Sequence, residues 1–305
     1  MRRRRQKMTQ DLIPGLVDQQ DLDWARVIRA RYLVRQSFRY DYESPIRRLR
    51  HRLIVVPADH HGDQRTLMSH LRFTPEAGRL ERRRDRYGNS VVEIRLTDVE
   101  SAVDFEARIV VERTVADEGR QQPAAVAPRW LADQGMLTPA GLTEPGRRLR
   151  QAAGELAAEG LAGLVLGARI NRWVRSALDY QHGVTGIHTS AEEALARGLG
   201  VCQDYAHVML ALCRLLRLPA RYVSGHLLGE GGTHAWVEVL VPDGEGQAAA
   251  YGFDPTHGRP TGIRYVTVAV GKDYRDVAPT SGSYVGGSGH LTTAKRVDVV
   301  GFDYA

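Results

Sequence analysis

The sequence predicts an α+β protein: an N-terminal antiparallel β-sandwich, then a domain of helices followed by antiparallel strands. Three observations carry this. Between residues 24 and 115, apolar and polar residues alternate in short runs with no helical stretch between them, and period 2 without helices points to antiparallel sheets. Residues 123–145 form a break rich in Pro, Ala and Gly, the composition of a linker. Beyond it the apolar period becomes helical, and strand-like runs return only after Pro219.

In the first part, residues 32–40, 51–56, 91–96 and 103–112 have the β-branched and aromatic character of half-buried strands. Residues 85–90 lie between two such runs, and Gly88-Asn89 suits the positive φ angles of a tight hairpin. In the second part, Leu161, Leu164, Val165, Ala168, Trp173 and Val174 line one face of a helix. Ser190-Ala-Glu-Glu opens another helix as a capping box, with Gly198 past its end. A third runs from Cys202 to Leu218 and is stopped by Pro219. Strands are expected at 220–228, 234–241, 249–254 and 263–270. The expected division is a disordered basic N-terminus at 1–23, the sandwich at 24–115, a linker at 116–145, the second domain at 146–290 and a C-terminal tail at 291–305. No internal repeat is visible.

Composition narrows the class. At 43% hydrophobic and 26% charged residues, the chain is ordinary globular material. Two cysteines are too few for a disulfide framework and imply no oxidising compartment. No apolar run approaches the length of a membrane span. The basic Arg2–Arg5 cluster is followed by 11–18, which is too short and too broken by acids and Pro14 for a signal-peptide core. A cytoplasmic location and no membrane partner are therefore expected. The net charge of +6 comes from arginine, the lysines being Lys7, Lys272 and Lys295. No zinc knuckle, helix-turn-helix or aromatic RNA-binding signature accompanies it, so no nucleic-acid partner is expected.

The chemistry gathers around Gly200-Val-Cys-Gln-Asp-Tyr-Ala-His, where a glycine turn meets an apolar helix at Cys202. Unpaired N–H groups at a helix start stabilise a thiolate, as does a nearby imidazolium. The same groups would face an oxyanion forming on an attacked carbonyl. Gly198 and Gly200 allow a substrate backbone to approach. Cys213 is an internal control: about 20° round the same helix and roughly 16 Å along it, among Leu210, Leu212, Leu215 and Leu216, it reads as a core residue. His207, about 140° round from Cys202, points away and reads as a packed histidine. His234 opens an alternating strand after the loop Gly229-Glu-Gly-Gly-Thr, with Trp236 and Glu238 on its face. Asp254 closes the next strand, where it could hold the second imidazole N–H. His182, His188, His226, His234 and His257 also lie in this half, but none has another histidine at i+4 and there is no Cys-x-x-Cys. Neither a metal nor a cofactor is expected.

These stretches, with 218–227, His234-Ala-Trp-Val-Glu-Val, Phe253-Asp-Pro-Thr and 268–279, resemble the transglutaminase-like domain of bacterial proteins, in the papain-like cysteine protease superfamily. Tyr40-Asp-Tyr-Glu-Ser-Pro and Tyr87-Gly-Asn resemble the N-terminal β region of the same proteins, more loosely. The resemblance implies a papain-like core with Cys202 as nucleophile, His234 as base and Asp254 as orienter. Gly200, Gln203 and Trp236 are assigned to substrate binding. The sequence departs from the family at His257, where relatives often carry asparagine.

The expected activity is thiol acyl transfer on an amide of a peptide or protein, with hydrolysis of peptide or isopeptide bonds favoured. Transfer to an amine, as in a protein-glutamine transglutaminase, shares the acylation half and stays open. A non-catalytic interaction module on the same scaffold is the rival from another class. The sandwich is expected to position substrate or a partner.

Overall fold

In the first part of the chain, strict alternation produces long strands. In the computed structural model, which describes residues 17–75, 79–115 and 123–305, these are β1 (Val27–Tyr42), β2 (Ile46–Val56), β3 (Gln64–Thr74), β4 (Arg79–Arg84), β5 (Ser90–Val99) and β6 (Ala102–Thr114). Ala30, Tyr32, Val34 and Phe38 of β1 point into one core with Leu49, Leu53, Ile94 and Phe105. The hairpin at Gly88 has φ +87°, and the Asp85 carboxylate accepts the amides of Tyr87 and Asn89. The Arg2–Arg5 cluster and the expected linker start at 116–122 lie outside the described residues.

The second part follows with α1 (Arg147–Ala157), α2 (Gly163–Ala177), α3 (Ala191–Arg197) and α4 (Cys202–Leu215). Four strands come next: β7 (Ala220–Leu227), β8 (His234–Pro242), β9 (Ala248–Asp254) and β10 (Tyr265–Gly271). They form an antiparallel sheet in the order β9-β8-β7-β10. Helix α4 is buried from Asp204 to Arg214 because α1, α2, α3, β7 and β8 all pack on it. Ser190 caps α3 by accepting from the Glu193 amide, while Glu193 accepts from the Ser190 amide. Gly198 ends the helix at φ +68°. Its neighbour Glu192 reaches back to the amides of Gly146, Arg148 and Leu149 and caps α1. The architecture is α+β, a β-sandwich joined to helices packed on an antiparallel sheet. No helix among the described residues is long and apolar enough to cross a membrane.

Three segments differ from the sequence expectation. Of the N-terminus expected to be disordered, residues 17–23 are ordered: Val17 bridges to Val299 and Leu22 is buried in the sandwich core. The C-terminal stretch is not a tail: β11 (Thr280–Val285) pairs with β2, and β12 (Gly289–Tyr304) pairs with β1 along its length, from Gly289↔Tyr42 to Tyr304↔Val27. The two sandwich sheets are thus ordered β12-β1-β6-β3 and β11-β2-β5-β4, and each takes an edge strand from the end of the chain. The physical reason is that β12 is largely exposed, so it carries little apolar alternation and its strand state comes from satisfying the backbone groups of β1. Likewise, residues 123–145 are not a free linker. Ala124–Val126 pairs with β9, and Trp130, Met136 and Leu142 are buried.

The sandwich closes onto the edge of the second part's sheet. Gln64 exchanges two hydrogen bonds with the Thr267 backbone, at 2.7 and 2.8 Å, and Asn89 does the same with Val270 at 2.7 and 2.8 Å. Two carboxamides thereby stand in for the missing neighbour strand of β10. Arg113 donates to the Tyr265 carbonyl and, at 2.6 Å, to Asp63.

Candidate active site

Cys202 is the first residue of α4 because the chain arrives extended at Val201, with φ −110° and ψ 177°. The Asp204 carboxylate secures the turn, accepting from the Val201 amide at 2.8 Å and the Thr185 hydroxyl at 2.6 Å. The Asp204 and Tyr205 amides donate back to the Val201 carbonyl, so Cys202 and Gln203 carry the first helix amides, which have no intrahelical acceptor. The thiol of Cys202 is partly exposed, whereas Cys213 is buried and burial pushes its thiol up to about 12.

His234 begins β8 and is 1% exposed; Asp254 ends β9 and is wholly buried. His234 Nε2 lies 2.8 Å from Asp254 Oδ2. That carboxylate is saturated. Its Oδ2 also accepts from the Tyr265 hydroxyl at 2.7 Å and meets His257 Nδ1 at 2.7 Å. Its Oδ1 accepts from the amides of Thr256 and His257. Burial alone would favour the neutral acid, but these donors outweigh it and hold Asp254 far below the ordinary carboxylate range. Burial likewise opposes charge on His234, yet its contacts with Asp254, Cys202 and Glu230 outweigh that and raise it to about 12. The other ring nitrogen, Nδ1, sits 2.9 Å from Glu230 Oε2 without an aligned hydrogen bond. His257 Nε2 is 3.4 Å from Glu230 Oε1.

The structure brings Cys202, His234 and Asp254 together, and it revises the substrate-binding assignments. Trp236 is 1% exposed and packs with Val223, Leu227, Tyr265 and Val270, its ring tilted against His234 at 6.2 Å. It supports the imidazole from behind and cannot meet a substrate. The cause is that β8 is buried on both faces: Ala235, Val237 and Val239 face the helices, while Glu238 meets His61 of the sandwich. Gly200 is also buried. A Cβ there would lie 2.7 Å from that of Asp204, so the glycine makes room for the nucleophile turn. Gln203, beside the thiol, remains partly exposed. His207 is packed as expected: its Nε2 accepts from the Tyr274 amide, and burial pushes its imidazole down to about 3.

Sequence reasoning missed four participants. Asp204 was signalled only by its place in the third position of the helix, and Tyr265 only by the strand that carries it. His257 stood out as a departure and not as a second imidazole on Asp254. Glu230 was hidden in a glycine-rich loop.

Comparison with known proteins finds matches to both parts of the chain. Residues 151–248 match the transglutaminase-like superfamily, and residues 32–112 match the bacterial transglutaminase-like N-terminal region. An uncharacterized protein of Mycobacterium leprae is 42% identical over 125 residues, which cover 38% of this chain and 43% of that protein. One from Mycobacterium tuberculosis H37Rv is 37% identical over 135 residues, covering 41% and 43%. The match thus spans less than half the length of these relatives. The crystal structure of a candidate cysteine protease from Cytophaga hutchinsonii superposes with a TM-score of 0.68 at 22% identity, covering 91% of this chain and 93% of that one; the two share a fold. Residues 151–248 of this chain thus carry a transglutaminase-like core, and residues 32–112 carry the bacterial transglutaminase-like N-terminal region.

Proposed function

We propose that this chain is a cysteine-dependent acyl-transfer enzyme that hydrolyses peptide or isopeptide bonds. Cys202 serves as nucleophile, His234 as acid and base, and Asp254 as orienter. The observation that carries the reading is a saturated Asp254 carboxylate on His234 Nε2 together with a thiol at a helix start that interacts with the same imidazole. The raised pKa of His234 favours an imidazolium beside the sulfur, and an imidazolium stabilises a thiolate.

In this mechanism Cys202 Sγ attacks the amide carbon. The carbonyl electrons move to oxygen, where the unpaired amides at the start of α4 stabilise them. As the C–N bond breaks, the His234 imidazolium gives its proton to the leaving amine. Water then attacks the thioester, His234 takes a proton from it, and the carboxylic acid leaves with the thiol regenerated. An amine in place of water would give a new amide and the transglutaminase outcome. Hydrolysis is preferred because the papain-like resemblance includes many hydrolases.

The test is to incubate the chain with glutaminyl and isopeptide-linked peptides plus a labelled primary amine. Release of free acid, abolished in Cys202→Ala, supports hydrolysis. Label incorporated at the expense of free acid would overturn hydrolysis in favour of transfer. No turnover of any amide, with Cys202 no more reactive than Cys213, would leave the interaction-module reading in its place.

A further inference from the structure

Asp254 holds two imidazoles, not one. It binds His234 through Nε2 at 2.8 Å and His257 through Nδ1 at 2.7 Å. A carboxylate on one nitrogen of each ring fixes its orientation and leaves the opposite nitrogen as the lone-pair donor. Those opposite nitrogens, His234 Nδ1 and His257 Nε2, both face the Glu230 carboxylate, at 2.9 and 3.4 Å from its two oxygens. One donor atom from each of Glu230, His234 and His257 lies within 4.8 Å of the others. His234 Nδ1 is buried and has no aligned hydrogen-bond partner. Neighbouring ligand atoms around tetrahedral zinc, at bonds of about 2.0–2.1 Å, are roughly 3.3 Å apart, so the set needs little movement to close on an ion. The Cys202 thiol interacts with the same imidazole but lies outside this three-donor cluster.

We propose that Glu230, His234 and His257 form a binding site for a zinc-class divalent ion, and that the ion, by occupying His234 Nδ1, takes the imidazole away from Cys202 and reversibly masks the nucleophile. The donor set of two imidazoles and a carboxylate, with the fourth position left to solvent, suits a borderline-soft tetrahedral metal and not a hard cation such as Mg²⁺. On coordination, the His234 imidazolium releases its Nδ1 proton to solvent. Glu230 sits between Gly229, at φ +96°, and Gly231 and Gly232, which have open space around them. The loop can therefore carry the carboxylate in and out. Masking rests on the assignment of Cys202 as nucleophile; metal binding does not.

The experiment titrates Zn²⁺ into the full chain against a chromogenic chelator and, separately, follows alkylation of Cys202 with and without Zn²⁺. One ion per chain is expected, with affinity reduced at least about tenfold in Glu230→Gln and in His257→Asn. Zn²⁺ is expected to slow alkylation in the unaltered chain and much less in Glu230→Gln. No stoichiometric binding, or affinity in both variants equal to that of the unaltered chain, would overturn the site. Tight binding to a chain that turns over no amide retains the metal site and removes the enzyme reading. Rapid Cys202 chemistry without zinc binding does the reverse.

Discussion

His61 in the sandwich and Glu238 on β8 meet at 2.6 Å, four residues from the imidazole that opens the same strand. Glu238 also pairs with Arg221 at 2.6 Å, and all three side chains sit where the sandwich covers the catalytic-side sheet. Burial opposes the charge on Glu238, but Arg221 and His61 outweigh it and lower its pKa to about 2.

A group lowered in the folded state contributes stability above its unfolded pKa and loses it as pH falls through the folded value. Glu238 therefore adds stability at neutral pH that drains away between about pH 4.5 and pH 2. Urea unfolding at a series of pH values should show this loss in the unaltered chain. Glu238→Gln should have a flatter acid limb and be less stable at pH 7 by roughly 3 kcal/mol, because Arg221 is left buried without its partner. An unchanged acid limb would remove Glu238 from the account.

Truncation after Pro279 tests the sandwich edges. Removing β11 and β12 would bare the backbone of β1 and β2 along most of their length and take Val299, 1% accessible, out of the sandwich core. The expected outcome is loss of soluble folded protein by gel filtration and circular dichroism. A truncated chain with the parent's cooperative melt would mean that 280–305 is a dispensable tail after all.

Tyr265→Phe removes one donor from Asp254 and leaves the ring packing with Trp236 intact. Stability should fall by about 1 kcal/mol. Because Tyr265 is a positioning residue, turnover should fall through kcat with KM little changed, and the pH profile should move with the altered His234. A purely structural role would lower stability and leave that profile where it was.

Much of the second domain was legible from local pattern. Cys202, His234 and Asp254 each stand at the start or end of an element, where turn and cap chemistry mark them, and β7 to β10 fall close to the expected strands. What escaped depended on distant partners. β3 is mostly exposed and β12 is a largely polar edge, so neither shows the alternation that reveals a strand. Trp236 shares the face of His234, which suggests substrate binding; the sandwich that covers that face lies over a hundred residues away in sequence. Glu230 and His257 acquire meaning only once Asp254 is seen to hold two rings.

The most direct measurement is the rate of iodoacetamide labelling at each cysteine near pH 7, in the unaltered chain and in His234→Ala. The account predicts fast labelling of Cys202, none at Cys213 until the chain unfolds, and a drop of at least about tenfold at Cys202 in the variant. Equal, slow labelling of both cysteines, or a Cys202 rate indifferent to His234, would contradict an assembled thiol–imidazole pair.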